Sequence, residues 1–356
     1  MNYLLLAPEL FSSEGGITRI LRLYLKALCE ISPGSDAVRF VTLNDEAVAS
    51  EELRRYTTPA LAEWEACGGG KLRFVLAALR MARRSDRIVC GHVAQLPVAW
   101  LASKLRPGLS YYLVAHGIEV WRPFSFLERR ALRGTRQVFC VSEFTRRQLV
   151  ERCPLPENRT VVVYNALDPY LGAGSPVKPP EGGPLILTIS RLSVSDSYKG
   201  IGHLISAMPA VRAEIPSAKL RVVGRGDALP SLQAEVLRLN LSEGVEFAGY
   251  ISDSRLSEEF AACRLFALPS EKEGFGLVFL EAMANGRPCL GARSGGVPEV
   301  IDEDTGVLVA YGDVHAIGAA IVGAVRKTWS LEALVHRSKH FSYLRFKERL
   351  ASLLTI

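Results

Sequence analysis

The chain has 356 residues, 48% of them hydrophobic, and a formal net charge of +6. This length favours two domains, and the apolar fraction is ample for two hydrophobic cores. No uninterrupted apolar stretch reaches the roughly 18 residues of a membrane span, so the sequence excludes an integral membrane protein.

Seven cysteines are scattered along the chain without a Cys-x-x-Cys pair, a pattern typical of free thiols in a reducing compartment. No basic segment precedes the first apolar run, Tyr3–Ala7, so we predict a strand there and not a signal peptide. We therefore expect a soluble, cytoplasmic enzyme.

The charge excess lies entirely in residues 1–172, which hold 23 Lys and Arg against 17 Asp and Glu, while residues 173–356 hold 20 of each. This first half is suited to an acidic partner such as anionic lipid or a phosphorylated acceptor. Ordinary variation is the alternative explanation for six charges. Nucleic acid is not an expected partner.

Short apolar runs alternate with helical patterns through the first half, which is the sequence form of a parallel α/β sheet. The predicted strands are Tyr3–Ala7, Arg39–Leu43, Ile88–Cys90, Tyr111–Ala115, Gln137–Val141 and Thr160–Tyr164. The predicted helices are Thr18–Glu30, Lys71–Arg84 and Leu96–Leu105.

Two loops of this half follow predicted strands, where an open α/β sheet places its ligand site. Gly15 and Gly16 lie between the first strand and the first helix, and they would let main-chain N–H groups approach a phosphate closely. A simple connecting turn is the alternative. His116 ends another strand and precedes a glycine, a position better suited to ligand contact than to the core.

The composition changes at Gly172–Pro184, where four glycines and four prolines in 13 residues indicate an interdomain linker. Strand and helix patterns then alternate again, and they predict a second Rossmann-like domain. Its predicted strands are Leu185–Ile189, Lys219–Val223, Val245–Ala248, Leu265–Pro269 and Thr305–Val309, and its predicted helices are Gly202–Ile215, Leu229–Asn240 and one that begins at Leu277.

A glycine turn organises this second half. Gly274 and Gly276 flank Phe275, which suits a tight turn whose backbone is bare to a ligand. The helix that follows from Leu277 adds unpaired N–H groups and a positive dipole, the ordinary setting for a phosphate.

Two carboxylates frame the turn. Glu273 precedes it, and Glu281 lies inside the apolar run LVFLEAMA, where a charge requires a partner. A sugar diol supplies two hydroxyl donors for this purpose. A neighbouring arginine is the alternative partner.

The two glutamates are separated by seven residues, and EGFGL is followed by SGGVPEV. This combination resembles the donor-site signature of glycosyltransferase family 4, a large retaining family with the GT-B fold. The resemblance covers nearly the whole chain and implies an α/β protein, GT-B, with two Rossmann-like domains facing a central cleft. The implied parts are an acceptor domain at 1–172, a nucleotide-sugar donor domain at 173–335, and a C-terminal helix at 336–356 that crosses back to the first domain.

The resemblance also implies roles for residues. Lys199 and Arg191 would stabilise the departing diphosphate, Glu273 would position the sugar, and His116 would contact the sugar from the other domain. The longer loop VSDSYKG makes Lys199 the firmer assignment of the two cations, and a solvated loop is the alternative. The implied donor-binding residues are Gly15, Gly16, Gly224, Gly226, Tyr250, Gly274, Phe275, Gly276, Leu277 and Glu281.

Three features need separate interpretation. Glu119 is the nearest acid after His116, where the family often has Asp, so its role stays open. Ala166 stands where glycine is common, so we assign it no binding role. Asp302-Glu303-Asp304 has the Asp-x-Asp spacing of metal-dependent glycosyltransferases of the other main fold. We interpret it as an acidic turn, because Thr305-Gly306 follows.

The expected activity is transfer of a hexose-type sugar, with retention of anomeric configuration, from a UDP- or GDP-sugar to a hydroxyl. The acceptor would be a glycan or a lipid-linked molecule in cell-surface polysaccharide or glycolipid biosynthesis. No metal and no other cofactor is expected. A nucleotide-sugar epimerase of the same architecture and a catalytically silent nucleotide-sugar-binding subunit are the alternatives.

A basic stripe in Lys71–Arg87 favours docking of the first domain on an anionic membrane, at its inner face. On a helix, the arginines of this stripe fall within an arc of about 100° that contains no acid. A solvated helix face is the alternative. The arginines are Arg73, Arg80, Arg83, Arg84 and Arg87.

Overall fold

The computed structural model describes residues 1–32, 34–170 and 182–354. The chain divides into two compact units, of which the first comprises Met1–Tyr170 with Tyr343–Ile356 and the second comprises Leu171–Ser342. Most of the predicted linker at 172–184 lies outside the described residues. All seven cysteines are buried free thiols, as their scatter predicts. Within the described ranges, no helix is both long enough and apolar enough to cross a membrane.

The first unit is a parallel sheet with helices on both faces. Its strands are β1 (Tyr3–Ala7), β2 (Val38–Thr42), β3 (Leu61–Ala66), β4 (Arg87–Cys90), β5 (Ser110–Ala115), β6 (Gln137–Cys140) and β7 (Thr160–Val162), in the order β3-β2-β1-β4-β5-β6-β7. Its helices are α1 (Gly16–Ile31), α2 (Ser50–Tyr56), α3 (Lys71–Ala82), α4 (Leu96–Leu105), α5 (Phe126–Arg133) and α6 (Glu143–Arg152), and the C-terminal helix joins them.

The strand order places a ligand crevice beside β1. All five residues of β1 are buried, because helices cover both faces of the sheet. The chain leaves β1 for α1 on one face of the sheet and leaves β4 for α4 on the other. Neighbouring strands whose connections diverge in this way leave a crevice at their carboxyl ends.

The second unit is also a parallel sheet. Its strands are β8 (Leu185–Ile189), β9 (Lys219–Val223), β10 (Val245–Gly249), β11 (Leu265–Leu268), β12 (Cys289–Ala292) and β13 (Gly306–Val309), in the order β10-β9-β8-β11-β12-β13. Its helices are α7 (Ile201–Glu214), α8 (Leu229–Arg238), α9 (Asp253–Ala262), α10 (Leu277–Ala284), α11 (Val297–Val300), α12 (Val314–Arg326) and α13 (Leu331–Lys339). The central strands β8 and β11 pair directly.

The C-terminal segment differs from the single helix expected at 336–356. It forms α13, a short break, and α14 (Tyr343–Leu354), which belongs to the first unit. The break has a physical cause, because two aromatic residues enter different cores. Phe341 packs on Phe275 of the second unit with ring centroids 5.3 Å apart, and Phe346 packs on Tyr24 of the first at 4.9 Å.

Glu30 of α1 fastens α14 to the first unit. Its carboxylate accepts hydrogen bonds from the Tyr343 hydroxyl at 3.0 Å and from Lys347 Nζ at 2.9 Å. Burial raises the pKa of Glu30, but the bonds from Lys26, Lys347 and Tyr343 outweigh this, and the pKa is lowered overall. The helix is therefore fixed by an ionised carboxylate as well as by apolar packing.

The prediction of an acid-free basic stripe on α3 is wrong. Arg73 Nε lies 2.8 Å from Glu65 Oε1, and Arg80 bonds to both Glu63 and Glu65. These glutamates lie on β3, a strand that the sequence pattern did not reveal. Arg87 is not on the helix at all, because it begins β4 and is buried.

Candidate active site

In the second unit, the structure brings two of the predicted catalytic side chains together. Lys199 Nζ lies 2.5 Å from Glu273 Oε2, and their side chains are 22% and 17% exposed. Lys199 follows β8 and Glu273 follows β11, so both lie beyond the carboxyl ends of adjacent central strands. This edge is where an open α/β sheet binds its ligand.

Close backbone contacts hold this ion pair in place. The Glu271 N–H donates to the Tyr198 carbonyl at 2.8 Å, which ties the two loops together. Gly200 has a φ of 77°, and a Cβ there would lie 2.5 Å from the Pro269 carbonyl oxygen. Only glycine fits such an approach. Backbone packing therefore requires Gly200 next to Lys199, whether or not a ligand binds there.

The SGGVPEV segment forms the third loop of the site. The Gly296 N–H donates to the Glu273 carbonyl at 2.8 Å. Gly295 has a φ of 62°, and a Cβ there would lie 2.2 Å from the same oxygen. This loop therefore fixes the backbone that carries Glu273.

The helix α10 begins directly after the glycine turn, as predicted. Its N-cap, Gly276, is in the left-handed conformation and supplies no side-chain cap to the first turn. Phe275 is buried, whereas Gly274, Leu277 and Glu281 are half-buried. Leu277 and Glu281 are four residues apart and lie on the same side of the helix. The first turn thus offers N–H groups and positive dipole to an anion.

Arg191 is held in a different pair. Its Nε lies 2.6 Å from Asp196 Oδ2, and the Arg191 side chain is 74% exposed while Asp196 is buried. Asp196 belongs to the inserted loop, which folds as a short 3-10 helix over Val194–Lys199. The structure therefore brings Lys199, but not Arg191, to Glu273.

The turn after β9 packs against the loop that follows β8. A Cβ at Gly224 would lie 1.8 Å from the Ser190 carbonyl oxygen, and one at Gly226 would lie 2.1 Å from the Leu192 carbonyl oxygen. The intervening Arg225 places its guanidinium 4.8 Å from the ring centre of Tyr250, which is 49% exposed. The sequence analysis did not single out Arg225, and no motif marks it.

A cavity of about 330 Å³ lies beside the inserted loop. It is lined by that loop, by the first turn of α7 and by the start of α8, with Arg191, His203 and Tyr311 among its side chains. Lys199, Glu273 and Glu281 do not line it. The Lys199–Glu273 pair therefore lies outside this cavity.

Asp302 of the Asp-x-Asp sequence is engaged within its own turn. The Thr305 hydroxyl donates to Asp302 Oδ1 at 2.7 Å, and Arg337 Nε lies 3.2 Å from Asp302 Oδ2. Across the described residues, no group of three or more His, Cys, Asp or Glu side chains has an arrangement that could hold a metal ion.

In the first unit, His116 lies at the carboxyl end of β5 and is buried. Its Nε2 lies 2.8 Å from the Gly91 carbonyl oxygen, so Nε2 carries the proton and Nδ1 is an acceptor. Nδ1 is buried and has no hydrogen-bond partner within the described part of the chain. Burial lowers the pKa of His116 to about 4, although the Gly91 bond opposes this, so the ring is neutral at physiological pH.

The loop that carries Gly15 and Gly16 is organised by a residue that the sequence analysis missed. Asp45 is fully buried after β2, and its carboxylate accepts main-chain N–H groups of Leu10, Phe11 and Ser12 at 2.8–3.1 Å. Gly15 is the N-cap of α1 without a side-chain cap. The sequence offers only a weak indication of this role, because a single Asp after a strand does not reveal which main-chain N–H groups it binds.

Two family descriptions match separate parts of the chain. "Glycosyltransferase Family 4" matches residues 15–170, and "Glycosyl transferases group 1" matches residues 183–327. The chain belongs to glycosyltransferase family 4. The resemblance read from EGFGL and SGGVPEV is therefore confirmed.

Two curated relatives are similar to part of this chain. The GDP-mannose-dependent alpha-(1-6)-phosphatidylinositol monomannoside mannosyltransferase of Mycolicibacterium smegmatis is 38% identical over 146 residues, 39% of this chain and 37% of the relative. The N-acetyl-alpha-D-glucosaminyl L-malate synthase of Bacillus anthracis is 34% identical over 150 residues, 42% of this chain and 39% of the relative. The chain thus spans well under half the length of either relative.

A solved structure is similar over the full length. HepE of Anabaena, determined in complex with UDP and glucose, is 22% identical, and the match covers 100% of both chains with a TM-score of 0.80. At this identity the likeness concerns the fold alone. The chain therefore has the GT-B fold predicted from the sequence.

Replacing Gly295 by Ala will destabilise the second unit and weaken binding of any sugar nucleotide that the Lys199–Glu273 edge accepts. The new Cβ clashes with the Glu273 carbonyl, and a non-glycine residue in the left-handed region costs about 1–3 kcal/mol. Urea denaturation and thermal shift with added sugar nucleotide measure the two effects.

Gly323→Ala is the matched control, because Gly323 lies in α12 with open space where its Cβ would go. That substitution will stabilise the protein by about 0.5–1 kcal/mol. If Gly295→Ala binds sugar nucleotides as well as Gly323→Ala does, the loop does not position Glu273.

Proposed function

We propose that this glycosyltransferase moves a hexose-type sugar from a UDP- or GDP-sugar to a hydroxyl of a lipid-linked or glycan acceptor, with retention of configuration. The observation that supports this most is the ion pair between Lys199 and Glu273 near the start of α10. A cation and an uncapped helix N-terminus suit a diphosphate, and a carboxylate suits sugar hydroxyls.

Stabilisation of the leaving diphosphate is the main catalytic contribution in this proposal. As the glycosidic bond breaks, negative charge develops on the diphosphate, and Lys199 with the first N–H groups of α10 stabilises it. Glu273 exchanges its bond to Lys199 for bonds to the sugar. The acceptor hydroxyl then attacks from the face that the diphosphate leaves, which retains the configuration. Its proton passes to the departing diphosphate oxygen as the new glycosidic bond forms. Glu281 holds the ribose hydroxyls.

The state of His116 supports a role in binding a sugar hydroxyl. A neutral imidazole that donates through Nε2 to Gly91 can only accept at Nδ1. A buried acceptor without a partner is unfavourable, and a sugar hydroxyl would satisfy it. We assign His116 to a substrate hydroxyl bound at the carboxyl edge of the first sheet.

The lipid-linked acceptor rests on the relatives and on one surface. The relative from Mycolicibacterium smegmatis is, by name, an enzyme acting on a phosphatidylinositol mannoside. In the first unit, α4 packs between α3 and α5, and this surface exposes large apolar side chains among cations. The apolar ones are Leu72, Leu76, Leu101, Leu105, Phe126 and Leu127, and the cations of α4 and α5 are Lys104, Arg129, Arg130 and Arg133.

Charge complementarity selects anionic lipid for this surface. Glu128 is the one acid of α5, and it is bonded to Arg122 at 2.6 Å and to the Ser125 N–H. Phe126 is 82% exposed at the start of the helix. Among the described residues, Arg129, Arg130 and Arg133 have no carboxylate within ion-pair distance, and an apolar group beside such arginines is typical of a helix that lies on a membrane. The cations of the proposed docking surface are thus those of α4 and α5, whereas α3 contributes the exposed Leu72 and Leu76.

Lys199→Ala will lower the rate of sugar transfer by about 10²–10³-fold, which is the usual effect of losing one electrostatic donor. The assay is acceptor-dependent release of UDP or GDP, with each sugar nucleotide tested in turn. Lys272→Ala is the matched control, because Lys272 is an exposed neighbour of Glu273. Equal activity of the two variants would remove Lys199 from catalysis, and no release with any donor and acceptor would remove the proposed function.

Reversing two charges on α5, Arg129→Glu with Arg133→Glu, will reduce binding to vesicles that contain phosphatidylglycerol. Each arginine near an anionic leaflet contributes about 1 kcal/mol, so the double reversal will reduce binding strongly at low salt. Co-sedimentation at low and high salt measures the effect. The control reverses Arg54 and Arg55 on α2, which packs with α1 on the other face of the sheet. Equal loss in both variants, or equal recovery on neutral and anionic vesicles, would contradict the proposed surface.

A further inference from the structure

Glu119 is the residue whose role the sequence analysis left open. It follows His116 by three residues, and its Oε1 accepts the His116 main-chain N–H at 2.5 Å. The main-chain N–H groups of Gly117 and Glu119 also lie close enough to this carboxylate to favour its ionised form. A single carboxylate therefore gathers the N–H groups of the turn that follows β5.

This turn needs such an anchor because its backbone is unusual. Gly117 has φ 146° and ψ −109°, a conformation that side-chain-bearing residues rarely adopt. Glycine makes the turn possible, but its freedom also makes other conformations available to the chain. The hydrogen bonds to Glu119 select one of them.

The other end of His116 is fixed to the neighbouring strand. Its ring donates to the Gly91 carbonyl, and the Gly91 N–H donates to the Leu6 carbonyl at 2.7 Å. This chain of bonds crosses from β5 through β4 to β1, at the crevice. With the backbone held by Glu119 and the ring held by Gly91, Nδ1 has one position and one tautomer.

We propose that Glu119 is a positioning residue for His116: its carboxylate fixes the turn so that Nδ1 is presented as an acceptor to a substrate hydroxyl. This inference rests on the proposed function for the identity of the hydroxyl, but the positioning itself does not. Positioning requires an acceptor oxygen at the distance that a glutamate side chain spans between its own Cα and the His116 main-chain N–H. A negative charge is not needed.

The surroundings of the carboxylate agree with this. Burial raises the pKa of Glu119, and the main-chain bonds together with nearby His92 only partly oppose this. His92 follows β4, and its Nδ1 accepts the Ala94 N–H at 3.1 Å. Arg122 also lies close enough to feel the Glu119 charge. None of these groups replaces Glu119 at the His116 N–H.

The test uses three substitutions at one position. Glu119→Ala removes the acceptor, Glu119→Asp shortens its reach by one methylene, and Glu119→Gln keeps an oxygen of the right reach without the charge. We expect kcat/KM to fall by up to about 10²-fold in the Ala and Asp variants, as for a misplaced substrate contact. Glu119→Gln will restore most of the activity. In a His116→Ala background, Glu119→Ala will have little further effect.

A second readout does not depend on activity. With ¹⁵N-labelled histidine, the His116 ring nitrogens will report one Nε2-protonated tautomer in the wild type and in Glu119→Gln, and a mixture in Glu119→Ala. Loss of signals in His116→Asn assigns them. Glu128→Ala is the control, because Glu128 is another partly buried carboxylate that caps a main-chain N–H nearby. It will leave the His116 signals unchanged.

The outcomes separate the two proposals. An unchanged His116 tautomer in Glu119→Ala, or a Glu119→Gln variant as impaired as Glu119→Ala, would overturn the positioning role. Absence of sugar transfer by the wild-type protein would overturn the proposed function, while a tautomer change confined to Glu119→Ala and Glu119→Asp would still support positioning.

Discussion

The ion pair between Lys199 and Glu273 is the interaction on which the donor edge depends. The two residues are 74 positions apart in sequence, and they meet because β8 and β11 are neighbours in the centre of the sheet. Their contact is possible only because Gly200 lets one loop approach Pro269 and Gly295 lets another approach Glu273. The glycines of Lys-Gly and SGGVPEV are thus explained by backbone packing around the pair. A ligand that separates the pair would bind to a cation and a carboxylate whose backbones are already fixed.

The first unit uses a different device at its own carboxyl edge. Buried or half-buried carboxylates accept main-chain N–H groups and so fix the loops that follow the strands. Asp45 does this for the loop before Gly15, and Glu119 does it for the turn after His116. Side-chain carboxylates suit this task because each offers two oxygens and several lone pairs to backbone donors.

Sequence pattern predicted elements well wherever apolar residues and end signals coincide. The helix after the glycine turn begins at Leu277 as expected, and β1, β8 and β9 have the predicted bounds. The strand β3 was missed because Glu63 and Glu65 alternate with its other residues, as they can on an edge strand whose outer side is exposed. That omission also produced the error on α3, since the acids that pair with its arginines lie on β3. Short polar helices such as α6 carry too little apolar periodicity to be recognised.

The sequence predicted which residues belong to the candidate site, but it did not predict which side chains they contact. The pattern marked Lys199, Glu273, Glu281 and His116, because glycines and strand ends surround them. It could not show that Lys199 pairs with Glu273, or that Arg191 pairs with Asp196 of the inserted loop. Hydrogen bonds to main-chain groups leave no trace in the sequence either, and this is why Asp45 escaped notice and Glu119 stayed unassigned.

The central claim is that Lys199 leaves Glu273 to bind the diphosphate of the donor. The most direct measurement is the affinity for UDP and GDP without sugar, by isothermal titration calorimetry, in the wild type, Glu273→Gln and Lys199→Ala. In the ligand-free protein Glu273 competes for the Lys199 ammonium, so neutralising it will tighten nucleoside diphosphate binding, and removing Lys199 will weaken it. An unchanged or weaker affinity in Glu273→Gln, with wild-type affinity in Lys199→Ala, would contradict the account.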